Sequence, residues 1–266
     1  MPILSPFRHK RNVRFLEVGV WYGKSLAMWC DYLTSGSCVI FGVDIHLSRF
    51  YEHRPELERM GAFSRNHLSV HQFDTSSDEF SSWTRETLGY VDIVLDDGYH
   101  AATSQWQLFT LVFPLVSPGG LYIIEDIAYP ADFFCQSFQS TGFVPLIASV
   151  ANRTYLQSSA VKHAPDTWVE QANRKAKERY RVLESSLKGA RHRLNQVGTK
   201  ESIAKLEEAI RRKEKEISSM SPDGIGSCEK YQILAAFAER MQIIQKLSAS
   251  VESVEVREKN IVFRRK

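Results

Sequence analysis

With 43% apolar and 24% charged residues, the 266-residue chain has the composition of an ordinary soluble globular protein and the length to bury one full core with room for an insertion. No run approaches the roughly 18 apolar residues of a membrane helix, since Leu108 to Val116 is short and contains Pro114, and the opening Met1-Pro2-Ile3-Leu4-Ser5-Pro6 lacks the apolar stretch of a signal peptide. Cys30, Cys38, Cys135 and Cys228 have no metal-binding spacing and read as reduced thiols of a cytoplasmic protein, while a formal charge of +3 decides little.

Strand and helix patterns alternate from Arg14 to Tyr122, as a doubly wound parallel α/β sheet requires. Strands are expected at 14–18, 39–43, 69–73, 91–95 and 120–124, and helices near 23–34, 54–60, 77–87 and 101–115. The first unit, Arg14-Phe15-Leu16-Glu17-Val18-Gly19-Val20-Trp21-Tyr22-Gly23-Lys24-Ser25, reads as strand, glycine turn and helix start. Gly19 lets the backbone approach a ligand and Gly23 permits close packing, although such a turn alone is weakly specific. The second strand ends in Asp44, placed to accept hydrogen bonds from ribose hydroxyls, and the third in Asp74, placed beside an adenine amine or as a helix cap.

The two most informative clusters come next. Val91-Asp92-Ile93-Val94-Leu95 runs into Asp96-Asp97-Gly98-Tyr99-His100, and Gly120-Leu121-Tyr122-Ile123-Ile124 runs into Glu125-Asp126. In a parallel sheet the carboxyl ends of all strands share one edge, where ligands bind. Carboxylates gathered there repel one another unless protonated or neutralised by a cation, and Mg²⁺ suits hard oxygen ligands. His100 lies three residues after Asp97 at a helix start, within reach of a proton released there. His46, His67, His71 and His163 have no such context and are read as incidental; Tyr99, Trp106 and Tyr129 are candidates for an acceptor pocket or for plain core packing.

Between about 166 and 218 the composition changes. Ala176, Tyr180, Leu183, Leu187, Ala190, Leu194 and Val197 follow a heptad seam, Thr167 and Glu170 fit a capping box, Gly198-Thr199 breaks the pattern, and Ile203, Leu206, Ile210 and Ile217 resume it. Residues 171–217 hold fourteen Lys and Arg against seven Glu, a charge of +7 that leaves −4 for the remainder. This predicts an inserted basic helical hairpin of coiled-coil type, 166–218, with 1–165 and 219–266 forming the sheet domain. With no aromatic residues interleaved among the charges, packing on itself or on a second subunit of a homo-oligomer is favoured over a nucleic-acid grip. The chain closes with Val251 to Arg257, a Glu258-Lys259-Asn260 turn and Ile261 to Phe263, an antiparallel pair.

Taken together these residues resemble a known family. Glu17 to Ser25 is similar to motif I of class I S-adenosylmethionine-dependent methyltransferases, in the catechol O-methyltransferase variant. Asp92 to Ile127 more closely resembles the metal-dependent sugar O-methyltransferases of macrolide and rhamnosyl tailoring: Asp96-Asp97-Gly98-Tyr99-His100, Phe113-Pro114, Pro118-Gly119-Gly120 and Ile124-Glu125-Asp126 keep that family's order and spacing. The resemblance implies a Rossmann-like methyltransferase sheet with a closing antiparallel pair. It implies Glu17, Gly19, Tyr22, Gly23, Ser25, Asp44, Asp74 and Asp96 around S-adenosylmethionine, Mg²⁺ on Asp97, Glu125 and Asp126, and His100 as the base. Tyr99 stands where the family has Ser, and Trp21 where the sugar enzymes have a smaller residue. The activity implied is methyl transfer to a sugar hydroxyl of a glycoside or polysaccharide. A catechol-like phenol acceptor is the alternative, against which His100 replaces that group's lysine; a non-catalytic nucleic-acid-associated module is a third, opposed by the intact acidic cluster. Because the first strand begins near Arg14, cover for the crevice is expected from 128–165, the hairpin or a neighbouring subunit rather than from the N-terminus.

Overall fold

A computed structural model describes residues 2–127, 141–152, 159–194, 200–220, 222, 224–225, 227–257 and 260–266. Tyr129, Val197, the Gly198-Thr199 break and Glu258-Lys259 of the closing turn lie outside the described residues, as does the Thr167 side chain of the capping box. The chain divides into two units, Met1–Leu156 with Gln242–Lys266, and Gln157–Met241.

The first unit is a seven-stranded sheet in the order β3-β2-β1-β4-β5-β7-β6. Its strands are β1 Arg14–Val18, β2 Val39–Asp44, β3 His67–Gln72, β4 Val91–Asp96, β5 Val116–Ile124, β6 Val251–Val256 and β7 Ile261–Arg265. The first five pair in parallel and β7 pairs antiparallel with both β5 and β6, which is the doubly wound sheet with a closing antiparallel pair that the sequence leads one to expect. β5 starts earlier than its apolar run suggests, because Val116 pairs with Val91 across a register irregularity before Leu121 takes Ile93.

Helices α1 Lys24–Tyr32, α2 Ser48–Arg59, α3 Asp78–Trp83 and α4 Ala102–Val112 connect the parallel strands. α2 begins six residues before the expected 54, carrying Pro55 in its interior. A 3₁₀ turn at Pro2–Phe7 and a helix α5 at Phe143–Ala151 have no counterpart in the sequence reading. One sheet face is closed by an apolar cluster of Phe15, Leu26, Trp29, Phe50, Ile93, Leu95 and Ile123 with Leu4 of the N-terminal turn. On the other, Phe109 lies 4.8 Å from Phe113, 4.9 Å from Tyr122 and 4.6 Å from Phe263, ring centre to ring centre. Trp106 belongs to this aromatic core, with its ring 4.9 Å from Phe143.

The second unit contains α6 Ser159–Leu194, α7 Lys200–Ser218 and most of α8 Ser227–Ser250. α6 and α7 pack along Leu187, Ala190 and Ile210, flanked by Leu194, Leu206 and Ile217, and are bridged by Arg179–Glu216 and Arg191–Glu214, each at 2.6 Å. These exposed ion pairs contribute little stability; the apolar seam holds the helices together. The unit is larger than the expected 166–218, because α6 starts at Ser159 and α8 adds a third helix, whose Phe237 packs edge-on against Trp168 at 5.1 Å.

Candidate active site

The register places the strand ends flush. Val18 lies opposite Val43 and Asp96, Asp96 opposite Ile124, and Asp44 opposite Gln72. The ladder extends one residue further on each strand: Gly19 N–H donates to Val43 O at 2.8 Å, Asp97 N–H to Val18 O at 2.9 Å and Glu125 N–H to Asp96 O at 2.9 Å. Gly19, Asp97 and Glu125 therefore emerge side by side at the carboxyl edge. At Gly19 the backbone has φ 97°, and an added Cβ would lie 2.1 Å from the Asp97 carbonyl oxygen, so only glycine fits.

A cavity of about 680 Å³ opens at this edge, lined by Gly19, Trp21, Asp44, Asp74, Asp97, Tyr99, His100 and Asp126 among others. Asp97, His100 and Asp126 each offer a ligand atom within 4.8 Å of the others, which fits a divalent cation. Burial pushes the Asp97 carboxyl up, His100 pulls it back and Asp126 pushes it further. Asp126 has a left-handed backbone, φ 49°, a strained conformation of the kind that collects at functional sites.

Asp44 braces the glycine turn. Its Oδ2 accepts from Val20 N–H at 2.8 Å and Trp21 N–H at 3.0 Å, and its Oδ1 from His46 N–H at 2.9 Å. Asp74 Oδ1 accepts from the Ser76 N–H and hydroxyl at 2.8 and 2.7 Å, bonds that hold its carboxyl below the usual range. The helix cap is instead Ser77, whose Oγ accepts from Phe80 N–H at 3.1 Å.

A second cavity, about 340 Å³, is lined by Leu4, Ser25, Met28, Trp29, Tyr32, Leu95, Asp97 and Glu125. Asp97 forms a wall of both. The N-terminal turn thus contributes Leu4 to the wall of this smaller cavity. Glu17 is fully buried nearby, and neither carboxylate oxygen has a hydrogen-bond partner of normal geometry. Burial pushes its pKa up to about 8; Ser25 pulls it down, and Asp97 and Glu125 add to the rise.

Four sequence expectations are changed by this geometry. Glu125 does not join the three-ligand cluster; its side chain lines the second cavity, and burial, with the nearby Asp97 and Asp126, pushes its carboxyl up. Asp96 is buried away from both cavities and accepts the Tyr122 hydroxyl at 3.1 Å, as strand alternation dictates for the residue before Asp97. Burial pushes its pKa up to about 7. Tyr22 is on neither wall; it packs on Trp21 at 4.7 Å and edge-on to His53 at 4.5 Å, with Arg49 above. Gly23, also on neither wall, ends the turn at φ 77° before α1 and allows Phe50 to pack close. Ser104 and Gln107 line the large cavity and were not anticipated, though they follow His100 at helical spacing of four and three.

Residues 16–127 match the methyltransferase-domain family. The chain is 37% identical over 130 residues to mycinamicin VI 2''-O-methyltransferase of Micromonospora griseorubida, covering 46% of this chain and 29% of that protein. It is 27% identical over 176 residues to 8-demethyl-8-alpha-L-rhamnosyl tetracenomycin-C 2'-O-methyltransferase of Streptomyces olivaceus, covering 61% of this chain and 43% of that one. The chain therefore spans less than half the length of these relatives. Among solved structures, a methyltransferase of the mycinamycin biosynthetic pathway in complex with Mg, SAH and mycinamycin VI aligns with TM-score 0.49 and 19% identity, over 99% of this chain and 47% of that one. Residues 16–127 thus match the methyltransferase-domain model, and the chain is similar in sequence over that part to macrolide and tetracenomycin sugar O-methyltransferases.

Proposed function

We propose that this chain transfers a methyl group from S-adenosylmethionine to a sugar hydroxyl, with a divalent cation, Mg²⁺, at Asp97 and Asp126. The observation that carries this reading is the convergence of Asp97, His100 and Asp126 in the same cavity as the Gly19 turn and Asp44. The rhamnosyl and mycinamicin acceptors in the names of the relatives support a sugar oxygen over a catechol.

The two cavities that share Asp97 suit an extended ligand lying across the sheet edge. Asp44 and Asp74 face the nucleoside end and Ser25 faces the amino-acid end, with Glu17 buried beside Ser25 and on neither wall. Gly19 permits the ligand to pass close to the backbone. S-adenosylmethionine supplies the electrophilic methyl carbon, and the protein contributes position and electrostatics. A bound Mg²⁺ would orient the acceptor hydroxyl and lower its pKa. Asp97 and Asp126 would hold that cation, with Glu125 close enough to act on both electrostatically. His100 accepts the hydroxyl proton on a ring nitrogen as the oxygen attacks. A soluble, non-membrane setting and a cytoplasmic location are part of the same reading; no helix among the described residues is long and apolar enough to cross a membrane. The basic helices of the second unit serve assembly or acceptor docking rather than chemistry.

Titration calorimetry with S-adenosylhomocysteine, with and without Mg²⁺, tests the cofactor half of the proposal. Saturable one-to-one binding is expected; no binding under either condition would refute it.

A further inference from the structure

We infer that the long helix α6 carries a docking row for an acidic polysaccharide, a sugar polymer with a carboxylate on each ring; naming it as the acceptor class rests on the sugar-hydroxyl reading above. Glu170, Asn173, Arg174, Lys177, Glu178 and Arg181 line a groove of about 540 Å³ on this helix. Their spacing of three and four places them on one face, turned away from the Leu187–Ala190 seam that packs on α7. All but Asn173 are exposed. The row lies beyond residues 16–127, the part of the chain that matches the methyltransferase-domain model.

The cations of this row are not neutralised. Elsewhere in the hairpin Arg179, Arg191, Lys205 and Arg212 each meet a Glu carboxylate at 2.5 to 2.8 Å. The side chains of Arg174, Lys177 and Arg181 form no ion pair or hydrogen bond among the described residues. Like charges three and four residues apart on a helix repel. An anion lying along the row therefore relieves a repulsion and adds an attraction. The helix rise sets the three charges about 4.5 and 6 Å apart along the axis, a spread that fits a ligand with several separated anionic groups.

The acids in the groove decide which polyanion fits. Glu170 and Glu178 are also without an ion-pair partner among the described residues, and Asn173 Oδ1 is fixed by the Ile225 N–H at 2.9 Å. A nucleic-acid strand carries a phosphate about every 3.4 Å and meets both carboxylates with repulsion. The groove has no aromatic ring on which a base could stack. An acidic glycan instead has hydroxyls between its charges. The Glu oxygens accept from those hydroxyls while the cations take the acid groups. Because both units belong to one chain, a polymer held on α6 keeps its hydroxyls at a raised effective concentration for methyl transfer.

The test is calorimetric titration of the full chain at low salt with a galacturonic acid decamer, a neutral galactose decamer and a thymidylate decamer. The acidic glycan is expected to bind at least about tenfold more tightly than either comparator, and to weaken by roughly tenfold when salt is raised fourfold, the effect of about three ionic contacts. Arg174→Gln, Lys177→Gln and Arg181→Gln combined should weaken it by about tenfold and leave S-adenosylhomocysteine affinity unchanged. Glu170→Gln with Glu178→Gln should raise thymidylate affinity and narrow the preference. A full chain that does not bind the acidic decamer, or binds the neutral one equally well, overturns the inference. So does a triple variant that keeps its affinity. Thymidylate bound more tightly than the glycan also overturns it and assigns the row to nucleic acid. If docking holds but no sugar, acidic or neutral, accepts a methyl group, the acceptor reading fails and the row stands as a glycan-docking surface alone.

Discussion

Replacing Asp44 by alanine removes a brace of the glycine turn and, on the proposed function, a ribose contact. The carboxylate accepts three backbone N–H groups, from Val20 at 2.8 Å, Trp21 at 3.0 Å and His46 at 2.9 Å. A hydrogen bond to a charged acceptor contributes about 1.5–3 kcal/mol when buried. Trp21 and His46 are exposed, so water replaces part of two of these bonds, and the expected loss is about 2–4 kcal/mol rather than the full sum. Trp21 has φ 47°, a conformation that costs an L residue roughly 1–2 kcal/mol and that the Asp44 bond helps to hold. Without it the turn relaxes and the Gly19 backbone leaves its position beside Asp97. Differential scanning calorimetry should show a melting temperature lower by roughly 4–16 °C, from about 2–4 °C per kcal/mol for a chain of this size. Calorimetric titration should show S-adenosylhomocysteine bound about 5- to 150-fold more weakly, the equivalent of about 1–3 kcal/mol. Asp44→Asn keeps one acceptor oxygen and should fall between the two. An Asp44→Ala chain with unchanged melting temperature and ligand affinity would refute both the brace and the ribose contact.

Two further outcomes follow from buried polar groups. Glu17 has its pKa raised to about 8 from 4.5, so between those values the folded chain keeps a proton that the unfolded chain has released; stability falls as pH rises through that window and levels off above it. Glu17→Gln should remove this loss in the ligand-free, metal-free protein. Its melting temperature should then gain on the parent steadily from pH 5 to 8, by an amount on the order of a few kcal/mol at most, whereas parallel melting curves across that range would contradict the assignment. Gln105 is buried, and neither of its amide atoms has a hydrogen-bond partner among the described residues. Gln105→Leu, close in volume, should stabilise by about 1–2 kcal/mol, and denaturant unfolding that shows a loss instead would mean the amide is satisfied in solution.

Much of the site was legible because period-two and period-3.6 patterns fix where strands end, and chemistry at a parallel sheet's carboxyl edge follows from that. Asp44, Asp97, His100 and Asp126 share the cavity for this reason. What sequence spacing does not show is where a side chain points once regular structure stops. Glu125 and Asp126 are adjacent in the chain, yet one lines the smaller cavity and the other the larger. Asp96 and Asp97 look equivalent as letters, yet one is the last strand residue facing Tyr122 and the other the first beyond it. α8 was missed because Ile233, Leu234, Phe237, Met241, Ile243, Ile244 and Leu247 do not keep to one face, so no amphipathic stripe marks it. Ser104 and Gln107 carried a usable signal in their spacing from His100, but only the fold shows that this face of α4 lines a cavity.

The most direct test of the central claim is transfer of a labelled methyl group from S-adenosylmethionine to a panel of rhamnosides and macrolide glycosides, measured as purified, after EDTA, and after Mg²⁺ is restored. Transfer to a sugar oxygen that EDTA abolishes and Mg²⁺ recovers, and that fails in the Asp97→Asn and Asp126→Asn double variant, is the expected result. Methyl transfer that persists in EDTA and in the double variant would contradict the account.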